Sequence, residues 1–342
     1  MKKCTRCILT EAFPNITFDE QGVCSVCHAW DKNWDAAKNK NLRRRYIKLF
    51  KDLEKSRGNY NCILAFSGGK DSAYALYLLK KKYNLNPLAV NFDNLFQTDA
   101  VRKWISVITK QLNVDLITYT PERENYLKCV KKSFEKTRNF CIFCNLGVYS
   151  LCQKIAAKNN INIIFSGSGK LEVNVISEHP ELDYYKYAKS IFIDDNEIAW
   201  EDFKISQELC NMIKFELMGD VFDWNHNNII ETLNKNLGIE YPTKGLDYIH
   251  ADCKIACIAN YIYYKKTKMT KNEYTMANLV RAGQLTRKEA LKKIEEEKKL
   301  LRKEPEYLEE LLRLIKINRK EYENILKEDI SYSPPWYHGH NK

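Results

Sequence analysis

The chain has 342 residues, 44% of them hydrophobic, and 55 Lys and Arg against 44 Asp and Glu give it a formal net charge of +11. That length and apolar content allow one large domain or two smaller ones with a substantial core. No run approaches the roughly 20 apolar residues that cross a bilayer, and Met1-Lys2-Lys3-Cys4 opens no apolar leader, so a membrane span is excluded and a cytoplasmic protein is expected.

Twelve cysteines in so long a chain, several of them in C-x-x-C pairs, read as metal ligands rather than disulfides. Cys4-x-x-Cys7 and Cys24-x-x-Cys27, separated by sixteen residues, have the spacing of a four-thiolate zinc ribbon, a closed site that stabilises fold and does no chemistry. A segment so short has no adequate core without its ion. The charged stretch from Lys32 to Arg57 then reads as a helical connector. From Cys62 onward strands and helices alternate: strand Cys62 to Phe66, helix Asp71 to Lys82, strand Leu88 to Phe92, helix Thr98 to Leu112, strand Val114 to Thr118. Two helices follow, at about Arg123 to Lys136 and Leu146 to Lys158, and then a buried strand, Ile161 to Phe165. Strands separated by helices of these lengths imply an α/β fold with an open parallel sheet and covering helices. Beyond about Ala199 the reading is mostly helical, including Ile255 to Lys265 and a helix opened by the capping box Thr286-x-x-Glu289. The tail Ser333-Pro334-Pro335-Trp336 reads as an extended terminus.

The first strand runs straight into Ser67-Gly68-Gly69-Lys70-Asp71-Ser72 and a helix. Two glycines let the backbone turn tightly against an oxyanion, and their amides, the Ser67 and Ser72 hydroxyls and the positive end of the helix face it. Lys70 adds a point charge for phosphates, and Asp71 caps the helix or holds magnesium. The spacing is not that of a Walker A loop, which serves cleavage at the terminal phosphate. Asp93 ends the second strand, where open parallel sheets bind ligands. Gly167, in the Ser166-Gly167-Ser168-Gly169 turn after the fourth strand, lies at the same edge. Cys141-x-x-Cys144 falls between two helices and has no second pair close by, so Cys253 or Cys257, one helical turn apart, has to complete it. Three thiolates with an open position suit an iron–sulfur cluster or a second zinc. The basic charge favours anionic partners, and nucleotides, nucleotide-sugars and RNA all qualify.

The spelling S-G-G-K-D-S resembles the PP-loop of the N-type ATP pyrophosphatases, which bind the pyrophosphate portion of ATP and transfer AMP to a carbonyl or carboxyl oxygen. The resemblance implies an adenine nucleotide alpha hydrolase-like sheet and makes Asp93 similar to a polar residue near the adenosine. Thiolation enzymes of that superfamily use a cysteine trio, which implies a cluster at Cys141, Cys144 and Cys253. The layout as a whole resembles the N-acetyl sugar amidotransferases of bacterial surface-glycan synthesis. This rests on Cys4-Thr5-Arg6-Cys7, Ile16-Thr17-Phe18-Asp19, Gly22-Val23-Cys24, the Ser67 loop, Ala89-Val90-Asn91-Phe92-Asp93-Asn94, Cys141-Ile142-Phe143-Cys144-Asn145, Asp252-Cys253-Lys254 and Leu279-Val280-Arg281-Ala282-Gly283-Gln284-Leu285-Thr286. Ser166-Gly167-Ser168-Gly169 departs from the Gly-Glu-Asn-like segment common in that family.

The resemblance implies an ATP- and magnesium-dependent enzyme in which Lys70, Asp71 and Ser72 serve catalysis. It adenylates the acetamido oxygen of an N-acetyl sugar, and ammonia then displaces AMP to leave an acetamidino sugar. With no glutaminase motif in the chain, a separate glutaminase subunit or free ammonium is expected to supply the ammonia. The expected division is a zinc ribbon at 1–31, a helical connector at 32–60, a PP-loop domain at 61–198 and a helical substrate region at 199–342. Two other readings stay open: a tRNA-thiolating PP-loop enzyme, and a non-catalytic nucleotide-binding scaffold. Asp71→Ala is expected to abolish AMP formation without unfolding the chain, as a change in a surface loop.

Overall fold

The computed structural model describes residues 2–33, 36–56, 58–169, 179–220, 224–242 and 252–328. Isolated antiparallel bridges join Lys3 to Thr10 and Phe18 to Cys24, and helix α1 (Ser25–Asn33) leaves from the second cysteine pair. Helix α2 (Ala36–Glu54) fills the connector. It is a layer of the fold rather than a tether, because Tyr46, Phe50 and Leu53 are buried in the main core.

The alternating segment gives β1 (Cys62–Ala65), α3 (Lys70–Tyr77) with a π-helical turn at Leu78–Lys82, β2 (Pro87–Phe92), α4 (Asp99–Leu112), β3 (Leu116–Tyr119), α5 (Arg123–Thr137), α6 (Ile142–Lys158) and β4 (Ile163–Ser166). Helix α4 shows why these boundaries were readable. Thr98 accepts a hydrogen bond from the Val101 amide at one end, Asn113 turns left-handed at the other, and Val101, Ile105, Ile108 and Leu112 bury one stripe. Every residue of β2 is buried, the mark of a parallel strand covered on both faces.

After β4 come α7 (Pro180–Ile191), α8 (Gln207–Met212) and β5 (Lys214–Leu217), then α9 (His226–Leu237), α10 (Lys254–Thr267), α11 (Asn272–Arg281), α12 (Arg287–Leu300), α13 (Leu308–Leu314) and α14 (Arg319–Lys327). Strand β5 lies in the region expected to be helical. Its Lys-Phe-Glu-Leu text hides it: Glu216 is buried, and its charge is met from α2 by Arg45 and by the Tyr46 hydroxyl at 2.7 Å, partners 170 residues away for the tyrosine. The described strands form one parallel sheet of order β3-β2-β1-β4-β5. The expected tail at Ser333 to Trp336 lies outside the described residues. Among the described residues no helix is long and apolar enough to cross a membrane.

The amino-terminal cysteine segment does have an apolar core, shared with distant helices. Ile8, Leu9 and Phe13 pack with Met269, Met276, Ala277, Ala290 and Ile294 of the α10–α12 region. Those helices are themselves tied together by buried Glu297, whose carboxylate accepts from Asn260 and Asn272 at 2.5 Å each and from Thr270 at 2.8 Å.

Candidate active site

Strand order reverses between β1 and β4, so the loops leaving their carboxyl ends diverge and open the crevice where parallel sheets hold ligands. The Ser67 loop leaves β1 at that point. Gly68 has φ +81°, and a Cβ there would stand 2.5 Å from Ile105 Cγ1, so geometry and space both demand glycine. Gly69 caps α3 with extended backbone and no side-chain cap, which leaves the helix's positive end facing the crevice. The Gly69 amide donates to Ser67 Oγ at 3.2 Å, Ser72 Oγ donates to the Gly69 carbonyl at 3.0 Å, and the two hydroxyls stand 3.3 Å apart. Lys70, 6% exposed, pairs with Asp71. Thus all six loop residues come together at the switch point.

Four residues outside the expected set complete this wall. Trp224 Nε1 donates to Asp71 Oδ1 at 2.8 Å, and the Tyr241 hydroxyl donates to the Gly68 carbonyl at 2.6 Å. His226 starts α9 beside Lys70 and Asp71, and burial, helped by the Lys70 charge, lowers its pKa to about 4, so it faces the loop as a neutral imidazole at neutral pH. Asp252 places Oδ2 3.0 Å from where a Gly69 Cβ would be. Nothing local in the text around Trp224, His226 or Tyr241 marks them, whereas Asp252 adjoins Cys253. Asp71 was expected to be a surface-loop side chain whose loss spares the fold; it is instead 22% exposed and holds both Lys70 and Trp224, so its removal also touches packing.

Gly167 sits at the predicted edge, where its immediate neighbour is protein backbone. A Cβ at 167 would lie 2.6 Å from the Asp71 carbonyl carbon and oxygen and 2.7 Å from the Ser72 nitrogen. Gly167→Ala is therefore expected to push the first turn of α3 out of register and raise the Kd for ATP, the ligand that the loop's spelling implies, about tenfold or more, ~1.4 kcal/mol. Calorimetric titration with an unchanged Kd would show that the strain relaxes without moving the loop. Asp93 also lies at its predicted place, and its carboxylate is engaged within the protein, receiving Arg102 at 2.7 and 3.2 Å and the Leu95 amide at 3.0 Å.

The segment carrying Asp252 pairs with the start of α4: the Thr98 amide donates to the Asp252 carbonyl at 3.3 Å, and the Lys254 amide to the Phe96 carbonyl at 2.9 Å. It thereby carries Cys253 to Cys144, and Asn94 Nδ2 donates to both sulfurs, at 3.4 and 3.6 Å. Cys141 caps α6 one turn before Cys144. Burial, with the Cys141 charge second, pushes the Cys144 thiol up to about 12. Cys257 turns away, its thiol donating to the Lys254 carbonyl at 3.2 Å. Among the described residues the groups of three or more metal-type donors lying within 4.8 Å of one another are Cys4, Cys7, Cys24 and Cys27, and His179, Glu181 and Cys210. The Cys141, Cys144 and Cys253 trio is wider than that.

The four amino-terminal cysteines fit a zinc ion. Tetrahedral thiolates 2.3 Å from zinc have sulfur–sulfur edges of about 3.8 Å, and Cys4–Cys27 and Cys7–Cys24 stand 3.9 and 3.7 Å apart. Amides of Cys7 and Cys24 donate to Cys4 Sγ at 3.4 and 3.3 Å. From 254 residues away Arg281 adds Nε to Cys27 Sγ at 3.3 Å, and it adds Nη2 to Cys7 Sγ at 3.2 Å, while Arg287 donates to the Cys7 and Cys4 carbonyls at 2.8 and 2.9 Å.

Residues 241–338 match the family model described as LPS biosynthesis protein WbpG-like, C-terminal domain; the matched segment includes Tyr241, Asp252, Cys253, Arg281 and Arg287. Two uncharacterized proteins of Methanocaldococcus jannaschii are similar in sequence, one 37% identical over 120 residues (34% of this chain) and one 29% identical over 145 (42%). The chain spans 41% and 47% of the length of those relatives. Similar solved structures include the NH3-dependent NAD synthetase of Campylobacter jejuni, with 20% identity, TM-score 0.32 and coverage of 50% of this chain and 80% of that one. They also include the U34-tRNA thiolase of Methanococcus maripaludis with its 4Fe-4S cluster, with 14% identity, TM-score 0.36 and coverage of 83% and 87%.

Proposed function

We propose that the protein is an ATP-dependent amidotransferase of surface-glycan synthesis, which converts an acetamido sugar to its acetamidino form and releases AMP and pyrophosphate. The observation that carries the proposal is the Ser67 loop at the strand-order reversal, with Gly68 in the left-handed region and Gly69 opening an uncapped helix. The likeness of residues 241–338 to a domain of lipopolysaccharide-biosynthesis proteins supports the sugar substrate.

In this reading the acetamido oxygen attacks the α-phosphorus of ATP and the bond to the β-phosphate oxygen breaks. Loop amides, Lys70 and the serine hydroxyls stabilise the charge that develops on departing pyrophosphate. Asp71, in the first turn of α3, and Asp252, whose Oδ2 lies beside Gly69, would hold magnesium in this reading, and the ion would neutralise phosphate charge. Ammonia then adds to the imidate carbon, gives up a proton and expels AMP. A separate glutaminase subunit or ammonium supplies it; glutamine-dependent turnover by the isolated chain would count against this part. Incubation with ATP, magnesium and ammonium over a panel of nucleotide-activated acetamido sugars is expected to yield AMP, pyrophosphate and a sugar whose mass reflects exchange of oxygen for NH. Formation of ADP and orthophosphate would refute the proposal.

One observation favours a second reading, thiolation of tRNA. Asp252 and Cys253 are neighbours, so a cysteine trio too wide for one ion, as a larger iron–sulfur cluster would require, lies beside the phosphate loop. Salt-sensitive retention of tRNA and tRNA-dependent AMP release would establish it, because phosphate contacts weaken steeply with salt.

A further inference from the structure

Cys210 looks in the sequence like one more core cysteine, and it is fully buried, as are Cys62 and Cys152. Its surroundings differ from theirs. Glu181, in the first turn of α7, is 1% exposed, and among the described residues neither of its carboxylate oxygens has a hydrogen-bond partner. His179, immediately before α7, brings Nδ1 to 3.6 Å from Glu181 Oε1. One donor atom each from His179, Glu181 and Cys210 lies within 4.8 Å of the others.

Separate elements hold this arrangement. Gln153 on α6 donates to Cys210 Sγ at 3.3 Å, and it anchors the start of α8 through the Ser206 amide and carbonyl, at 2.9 and 3.3 Å. Leu182, Ile205, Tyr149 and Tyr185 pack with Cys210, so the buried carboxylate stands beside an apolar cluster. A carboxylate in such surroundings is neutralised either by a proton or by a cation. A nitrogen, an oxygen and a sulfur converging on one point are the mixed donors that zinc-type ions accept, and three protein ligands leave a fourth position open. The imidazole is 30% exposed, which gives that position a way to solvent.

We propose that His179, Glu181 and Cys210 form a binding site for a divalent transition-metal ion of the zinc type, distinct from the four-cysteine site and from the nucleotide crevice. The site binds one ion through imidazole nitrogen, carboxylate oxygen and thiolate sulfur, with water in the fourth place and the thiol proton released to solvent.

The test is read on metal content alone and is independent of any activity. The full chain, reconstituted anaerobically with excess zinc and passed through a desalting column, is compared with Cys210→Ser and Glu181→Gln by mass-spectrometric metal analysis. Neither substitution touches the other cysteine groups, so each variant is expected to hold one equivalent fewer than the parent. The same zinc content as the parent in a variant whose circular dichroism is native would overturn the proposal. The two substitutions act on different elements, so either one, if folded, decides. Cobalt added to the parent gives an independent readout: one step of the titration is expected to show charge-transfer absorption of a single thiolate, absent from Cys210→Ser, and its persistence in that variant would also overturn the site.

Discussion

Asp71→Asn is expected to lower ATP-dependent AMP formation by at least ~10²–10³-fold, the loss seen when one well-placed electrostatic group is removed from a transition state. Asparagine is the informative choice. Asp71 Oδ1 accepts from Trp224 Nε1 and Oδ2 faces Lys70, itself 6% exposed. Alanine strips both of their partner, and a buried donor left unsatisfied costs about 1–3 kcal/mol, so lost activity would be confounded with lost folding. The asparagine oxygen still accepts from Trp224 while the charge that neutralises Lys70, and that in the proposed reaction would hold magnesium, is gone. Thermal unfolding of Asp71→Asn should therefore stay within a few degrees of the parent while AMP release, followed chromatographically, collapses. An asparagine variant that forms AMP at the parental rate would remove Asp71 from the reaction and leave it a clamp for Trp224.

That residue also marks where sequence reading succeeds and stops. The Ser67 loop was legible because its chemistry is local: a strand, two glycines and a helix start are contiguous, and the structure places them as the text implies. The four parallel strands ahead of it and behind it were legible from apolar runs, with ends displaced by one or two residues. Strand β5 was not, since Lys214 and Glu216 break the apolar run and Glu216 is met by Arg45 and Tyr46 on distant α2. Trp224, His226 and Tyr241 reach the loop by tertiary packing and carry no spacing signal. The glycine turn after β4 was read for its ligand contacts, yet Gly167 also answers a packing need, since the backbone of Asp71 fills the space where a side chain would go. Asp93 was correctly placed at the strand end, but sequence could not reveal that Arg102 and the Leu95 amide take its carboxylate.

The amino-terminal cysteines give the second large effect, and Arg281 is the residue that exposes it. Four thiolates around a divalent ion leave two negative charges, and Arg281, 8% exposed, donates to two of the sulfurs and to Asn278 Oδ1. Removing one partner of a buried charge pair costs about 3–5 kcal/mol. Arg281→Gln is accordingly expected to lower the melting temperature of the zinc-loaded chain by roughly ten degrees. In chain stripped of metal the ion no longer holds all four sulfurs as thiolates, the guanidinium loses counter-charge, and the same substitution should cost less. The difference between the two costs measures the coupling between metal and arginine. Because Ile8, Leu9 and Phe13 share their core with α10–α12, chelation should also loosen those helices, visible as faster amide exchange in Asn272–Arg281. An Arg281→Gln penalty of equal size with and without zinc would mean that the arginine only fills space, and the link between the ribbon and the carboxyl-terminal helices would then rest on apolar packing and on the Arg287 hydrogen bonds to the Cys4 and Cys7 carbonyls.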